Sequence, residues 1–102
     1  MLGGPIAGFD WDNGNRAKCR KHGVSTSEIE DLFTRAVLML PDDVHSQREG
    51  RFLAIGKTMN GRSVLVAFTM REKSGSRLLR PISARYMHRE EVRRYEEEAP
   101  DF

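Results

Sequence analysis

The chain reads as an α+β domain. It should have two N-terminal helices, a mostly antiparallel sheet of about four to five strands, and one C-terminal helix. Three observations predict this. Helix-start signals occur twice near the N-terminus, at Asp12 and at Ser25-Thr26-Ser27-Glu28. Two β-type runs, Phe52 to Met59 and Ser63 to Met70, flank the turn dipeptide Asn60-Gly61. A charged segment from Met87 to Glu98 suits one last helix, ended by Pro100.

Each element follows from local chemistry. A short strand precedes Trp11. Asp12 caps the first helix with Trp11 just outside it. That helix should run to about His22, where Gly23 supplies a left-handed turn. Gly14 weakens its first turn, so the helix depends on tertiary packing. Ser25 and Glu28 form a capping box, and Val24 and Ile29 a hydrophobic staple. Ile29, Leu32, Phe33 and Ala36 then give one buried stripe. Val37 to Leu40 reads as a short buried strand, stopped by Pro41-Asp42-Asp43. Residues 42–50 read as a polar loop carrying His45. A two-residue turn of type I′ at Asn60-Gly61 would pair Met59 with Arg62, Ile55 with Val66 and Leu53 with Phe68. The strand from Ser63 is apolar on both faces and should be central. Lys73-Ser74-Gly75-Ser76 is the next turn, and Arg77 to Ser83 the next strand. Pro81 lacks an N–H, so it should be unpaired or at a bulge.

A chain of 102 residues is most simply one domain, spanning 1–102. Apolar content of 38% and charged content of 31% fit a globular protein. No apolar run reaches the ~20 residues of a membrane helix, and Met1 to Ile6 lacks the pattern of a signal peptide. One cysteine forms no internal disulfide, so a reducing cytoplasm is the expected setting. His22, His45 and His88 are far apart and belong to no ligand motif, so neither metal nor cofactor is expected. The net charge of +2 hides an uneven distribution. Arg16, Lys18, Arg20, Lys21 and His22 come with no acidic residue among them. Residues 62–89 hold Arg62, Arg71, Lys73, Arg77, Arg80, Arg85 and Arg89 against Glu72 alone, and the chain then ends acidic. A basic body of this kind attracts polyanions such as RNA. Basic residues on edge strands also guard against aggregation.

An ordered series of residues carries a family resemblance. It comprises Trp11-Asp12, Lys21-His22-Gly23-Val24-Ser25, Arg51 with Ile55-Gly56, Arg80-Pro81-Ile82-Ser83-Ala84-Arg85, and Glu91 with Tyr95. Over roughly residues 9–96 the chain resembles the BrnT family of ribonuclease toxins from bacterial type II toxin–antitoxin systems. The resemblance implies a RelE-like fold and a small cytoplasmic toxin that cuts RNA and slows translation. Its implied partner is a BrnA-like ribbon-helix-helix antitoxin, which blocks the toxin and alone contacts operator DNA. The chain departs from the family's common residues at Asn15, where a lysine is frequent, and at Cys19, where an asparagine is. Pro81 and Tyr86 stand where an aliphatic residue and a lysine are common.

Cutting RNA without a metal needs a base for the 2′-OH, an acid for the leaving 5′ oxygen, and cations for the phosphorane. The candidate catalytic residues are Arg80, Lys21, Arg85 and His22. Arg80 is a candidate phosphate clamp, since a guanidinium fork matches phosphate oxygens. Arg85 is a second cation, or an anchor for the last helix through Glu91 or Glu90. Five residues apart, the two arginines point to opposite faces of a regular strand, and converge only at a bulge near Pro81 or Ala84. Lys21 could bind phosphate or act as base; its other role is to complement the helix dipole. His22 could serve as acid or base, the role that histidine side chains most easily fill. Arg16, Lys18, Arg20, Arg62 and Arg77 are candidate RNA-binding residues. Trp11 and Tyr95 read as packing residues, Cys19 as a half-buried filler, and His45 and His88 as surface residues. Two other functions fit the same residues: a non-catalytic RNA-binding module, and a protein that mainly forms an autoregulatory complex with the antitoxin.

Overall fold

A computed structural model describes residues 6–45 and 50–98. The elements in chain order are β1 (Gly8–Phe9), α1 (Asn13–Arg20), α2 (Thr26–Leu32), β2 (Leu38–Pro41), a 3₁₀ turn (Asp43–His45), β3 (Arg51–Lys57), β4 (Ser63–Lys73), β5 (Ser76–Tyr86) and α3 (Arg89–Glu98). They form a five-stranded sheet in the order β1-β5-β4-β3-β2. β1 runs parallel to β5, and every other neighbour is antiparallel. The architecture is therefore the expected α+β one, with β4 central. Residues 46–49 of the expected polar loop, and Pro100 beyond the last helix, lie outside the described residues, as does the Met1 to Pro5 start.

Both N-terminal helices begin as their sequences require. The Asp12 side chain accepts from the Asn15 backbone N–H at 2.9 Å, and Asn15 returns the bond to the Asp12 N–H at 2.7 Å. Ser25 and Glu28 make the same reciprocal pair at 3.1 and 3.0 Å. α1 is shorter than expected, ending at Arg20 with Gly23 at φ +89° beyond it. α2 stops at Leu32, so Ala36 is exposed and does not extend the apolar stripe. β2 is half-exposed in alternation rather than buried, because it forms a sheet edge.

The β3–β4 connection corrects the expected register. Type I′ geometry needs positive φ at both central residues. Gly61 has φ +79°, whereas Asn60 is not among the positive-φ residues. The Gly61 N–H bonds the Thr58 carbonyl at 2.9 Å, and the Thr58 N–H bonds the Arg62 carbonyl at 2.9 Å. The loop thus has three residues, a type I turn followed by a left-handed glycine. Ile55 then faces Leu65, and Leu53 faces Ala67. The type I′ turn lies instead at Ser74-Gly75, with φ of +53° and +78° between Lys73 and Ser76.

β5 holds the feature that shapes the site. It runs on to Tyr86, so Arg85 lies inside the strand rather than after it. Ser83 pairs with Ala67 but Pro81 pairs with Phe68, leaving Ile82 as the extra residue of a bulge. Pro81 is therefore at a bulge, as its missing N–H demands. Arg80 pairs with Thr69 and Arg85 with Leu65, two residues four apart on β4. The bulge thus turns both arginines toward one face of the sheet.

The other face carries the core. Val64, Val66, Phe68, Ala54, Leu79 and Ala84 meet Cys19, Val24, Ile29 and Leu32 from the helical side. Phe68 sits between Phe33, edge-on at 5.4 Å, and Phe52, stacked at 5.6 Å. Gly56 lies where β3 packs closely under Leu32 of α2 and Val37. A Cβ there would lie 2.9 Å from both Leu32 Cδ1 and Val37 Cγ1. Gly56→Ala should therefore destabilise the fold by about 1–3 kcal/mol through overpacking. Denaturant melts would check this, and an unchanged midpoint would show that the helix yields freely.

Candidate active site

Asn15 holds α1 against the bulge. The residue is 4% exposed, and its Nδ2 donates to the Asp10 carbonyl at 2.9 Å and to the Pro81 carbonyl at 2.8 Å. The Pro81 carbonyl, beside the unmatched Ile82, takes its hydrogen bond from this side chain. This clamp ties the first turn of α1, the helix that leads to Lys21 and His22, to the bulge in β5. Cys19, on the same helix, is fully buried rather than half-buried, and burial pushes its thiol up to about 11. It is a packing group and no nucleophile.

On the face opposite the core, His22, Asp42, Arg51, Leu53, Leu65, Ala67, Ser83, Ala84 and Arg85 line a depression of about 210 Å³. The revised register is what places Leu53 and Leu65 there as its apolar floor. Its cations are held by carboxylates. Arg85 makes a two-pronged pair with Glu91, Nη1 to Oε1 at 2.8 Å and Nη2 to Oε2 at 2.7 Å. The Arg51 Nε lies 3.8 Å from an Asp42 carboxylate oxygen. The two-pronged pair fixes the Arg85 guanidinium in place at the edge of the depression.

Glu91 therefore anchors α3, the second of the two roles expected for Arg85. The Arg85 guanidinium, helped by the His88 backbone N–H, pulls the Glu91 carboxyl down to about 2 from 4.5. The folded value lies below the unfolded one, so this pair's stabilisation is complete above pH 4.5 and is lost as pH falls toward 2. Its side chains are 38% and 31% exposed, so solvent screening holds the net contribution to about 1 kcal/mol. Thermal melts of wild type and Glu91→Gln across that window should converge at the acid end. A gap that stays constant with pH would refute the pair's contribution.

Of the four candidate catalytic residues, His22 and Arg85 share the depression. Arg80 and Lys21 are not among its lining residues. Arg80 reaches toward α1, where Nη2 donates to the Asp12 carboxylate at 2.8 Å and Nη1 lies 3.5 Å from Asp10. The Asn15 backbone N–H and then Arg80 hold the Asp12 carboxyl below its usual range. Asp10 also pairs with Lys73 at 3.0 Å. Lys21 is exposed in the turn beside His22. The candidate RNA-binding residues are not gathered in one place. Arg16, Lys18 and Arg20 are exposed on α1, with Arg16 5.7 Å above the Trp11 ring. Arg62 lies 3.5 Å above the Tyr86 ring at the β3–β4 end of the sheet. Arg77 is half-buried near the start of β5. The Tyr86 hydroxyl donates to Glu28 at 2.8 Å, which raises its pKa and keeps it protonated. Trp11 is half-buried against the core and donates to Glu30 at 2.9 Å. The side chain of His45 lies outside the described residues.

Sequence reasoning missed three polar lining residues as site members: Asp42, Arg51 and Ser83. Ser83 had a signal, since it follows the bulge that Pro81 announces. Asp42 and Arg51 flank a loop and meet only through the β2–β3 pairing. Among the described residues, no three His, Cys, Asp or Glu side chains are grouped to hold a metal ion. No helix there is long and apolar enough to cross a membrane.

Comparison with curated proteins gave no match. A family model described as "Ribonuclease toxin, BrnT, of type II toxin-antitoxin system" matches residues 11–91. That span runs from the start of the α1 cap through the depression to the carboxylate that grips Arg85. The chain therefore belongs to the BrnT family of ribonuclease toxins, whose type II systems pair each toxin with an antitoxin.

Proposed function

We propose that residues 1–102 act as one toxin domain, a metal-independent endoribonuclease that inhibits translation by cutting RNA in the His22–Arg85 depression. The observation that carries this reading is that a histidine, a carboxylate and two arginines line one hollow: His22, Asp42, Arg51 and Arg85. RNA supplies its own nucleophile. The 2′-oxygen attacks phosphorus while the bond to the 5′ oxygen breaks, leaving a 2′,3′-cyclic phosphate and a 5′-hydroxyl. Asp42 takes the proton of the 2′-OH, and His22, as imidazolium, protonates the departing oxygen. Arg51 and Arg85 stabilise the charge on the phosphorane. Arg80 acts as a positioning residue, tying β5 to the α1 cap through Asp12. Lys21 adds positive potential at the rim.

The antitoxin in this reading is a BrnA-like ribbon-helix-helix protein, through which alone the complex meets operator DNA, and the setting is the cytoplasm. The family's pairing of toxin with antitoxin supports the partner. The test incubates purified protein with a defined RNA in EDTA. Cleavage with a cyclic phosphate end, blocked by a 2′-deoxy substitution at the cut site, is expected. Activity that EDTA abolishes and magnesium restores would overturn metal independence. RNA bound but uncut would favour the non-catalytic binding module. A cell-free translation reaction should stop on addition of the toxin and recover when the antitoxin is added with it.

A further inference from the structure

A second hollow of about 660 Å³ lies beyond the first, between the β3–β4 loop and α3. Arg62, Arg89 and Arg93 line it, all exposed, with Glu96 as its one acidic side chain. We infer that this groove holds the sugar–phosphate backbone of a single-stranded RNA beside the bond that is cut, an inference that rests on the ribonuclease reading above.

Position supports it first. Ser63 lines the groove and Leu65 lines the depression, two residues apart on one face of β4, about 7 Å. Met87 in the groove likewise follows Arg85 in the depression by two residues. The two hollows therefore lie end to end, and a strand seated in one runs into the other. Charge supports it second. Arg89 and Arg93 stand one helical turn apart on α3 and project to one side. Glu96 lies 3.7 Å from Lys57, so its charge is already offset. The Arg62 guanidinium is held against the Tyr86 ring, which leaves its edge donors for phosphate oxygens. Half-buried Met87 and Val92 add an apolar surface for a base or ribose. An acidic segment of a protein would also meet these arginines, but it has no reason to continue into the depression.

The test measures anisotropy of labelled single-stranded oligodeoxynucleotides, which the toxin binds without cutting. Wild type is compared with Arg89→Gln/Arg93→Gln and with Arg89→Lys/Arg93→Lys, using a trinucleotide and a dodecanucleotide. For the glutamine variant, dodecanucleotide affinity should fall roughly 10-fold at moderate salt. Its log–log salt slope should fall by about 1.4, or about 0.7 for each of two phosphates. The trinucleotide should bind as before, and the lysine variant should keep the wild-type slope. An unchanged slope and affinity for the dodecanucleotide would overturn the inference. Retained oligonucleotide binding with lost antitoxin binding would overturn it too, and give the groove to the protein partner. If wild type cuts no RNA yet the glutamine variant shows the expected loss, the proposed catalysis falls and the groove stands. Equal melting temperatures would confirm that these exposed substitutions leave the fold intact.

Discussion

His22→Ala is expected to slow RNA cleavage by about 10²–10⁴-fold, the usual contribution of a positioned proton donor. Binding of a non-cleavable oligonucleotide should change little, since the imidazole acts on the leaving oxygen rather than on the bulk of the strand. The loss should therefore appear in kcat more than in KM. His22 lines the depression and Lys21, its neighbour, does not. Lys21→Ala should accordingly weaken association at low salt and spare the rate at saturating RNA. Single-turnover cleavage at saturating RNA separates the two. Wild-type rates in the His22 variant would remove the residue from the mechanism.

Asn15→Ala should be the most destabilising of the substitutions considered for the fold, by about 2–4 kcal/mol. It deletes both Nδ2 donors and the Oδ1 acceptor, and strands the Asp10 carbonyl, the Pro81 carbonyl and the Asp12 N–H. An unsatisfied buried polar group costs about 1–3 kcal/mol. At this chain length the melting temperature should fall by about 15 °C. A fall of less than a few degrees would mean that water enters and replaces the amide. Cleavage by the folded fraction should drop as well, because the amide joins the bulge to the helix that presents His22. The residue is a departure from the family's frequent lysine, and in this chain it serves as a structural pin.

The fold was legible where one local rule acted alone. The two capping boxes needed only Asp12, Asn15, Ser25 and Glu28, and the bulge needed only Pro81. Reading failed where rules competed. Asn60-Gly61 satisfies two hairpin geometries, and the choice between them moved every β3–β4 pair by one residue. Ala36 fits a helical period, but α2 ends before reaching it. The site was half legible for the same reason. His22 and Arg85 carry recognisable chemistry at recognisable places. Asp42 and Arg51 join them only through strand pairing across a loop, which spacing along the chain does not encode.

The extra residue in β5 makes the site a matter of counting. Ile82 is the one residue of the segment that β4 does not match, so the five positions from Arg80 to Arg85 count as four. Deleting Ile82 would leave a regular strand in which Ser83, Ala84 and Arg85 still face Ala67, Val66 and Leu65. Both arginines would keep their face. Deleting Ile82 and Ser83 together would leave the arginines three apart and turn Arg85 toward the apolar layer between sheet and helices. The guanidinium that grips Glu91 would then be lost to α3. The two-residue deletion should therefore cost far more than the one-residue deletion it contains. Substituting Ile82 by valine should be nearly silent. In this strand the parity of the segment between Arg80 and Arg85, with the bulge residue discounted, matters more than the identity of the residues that fill it.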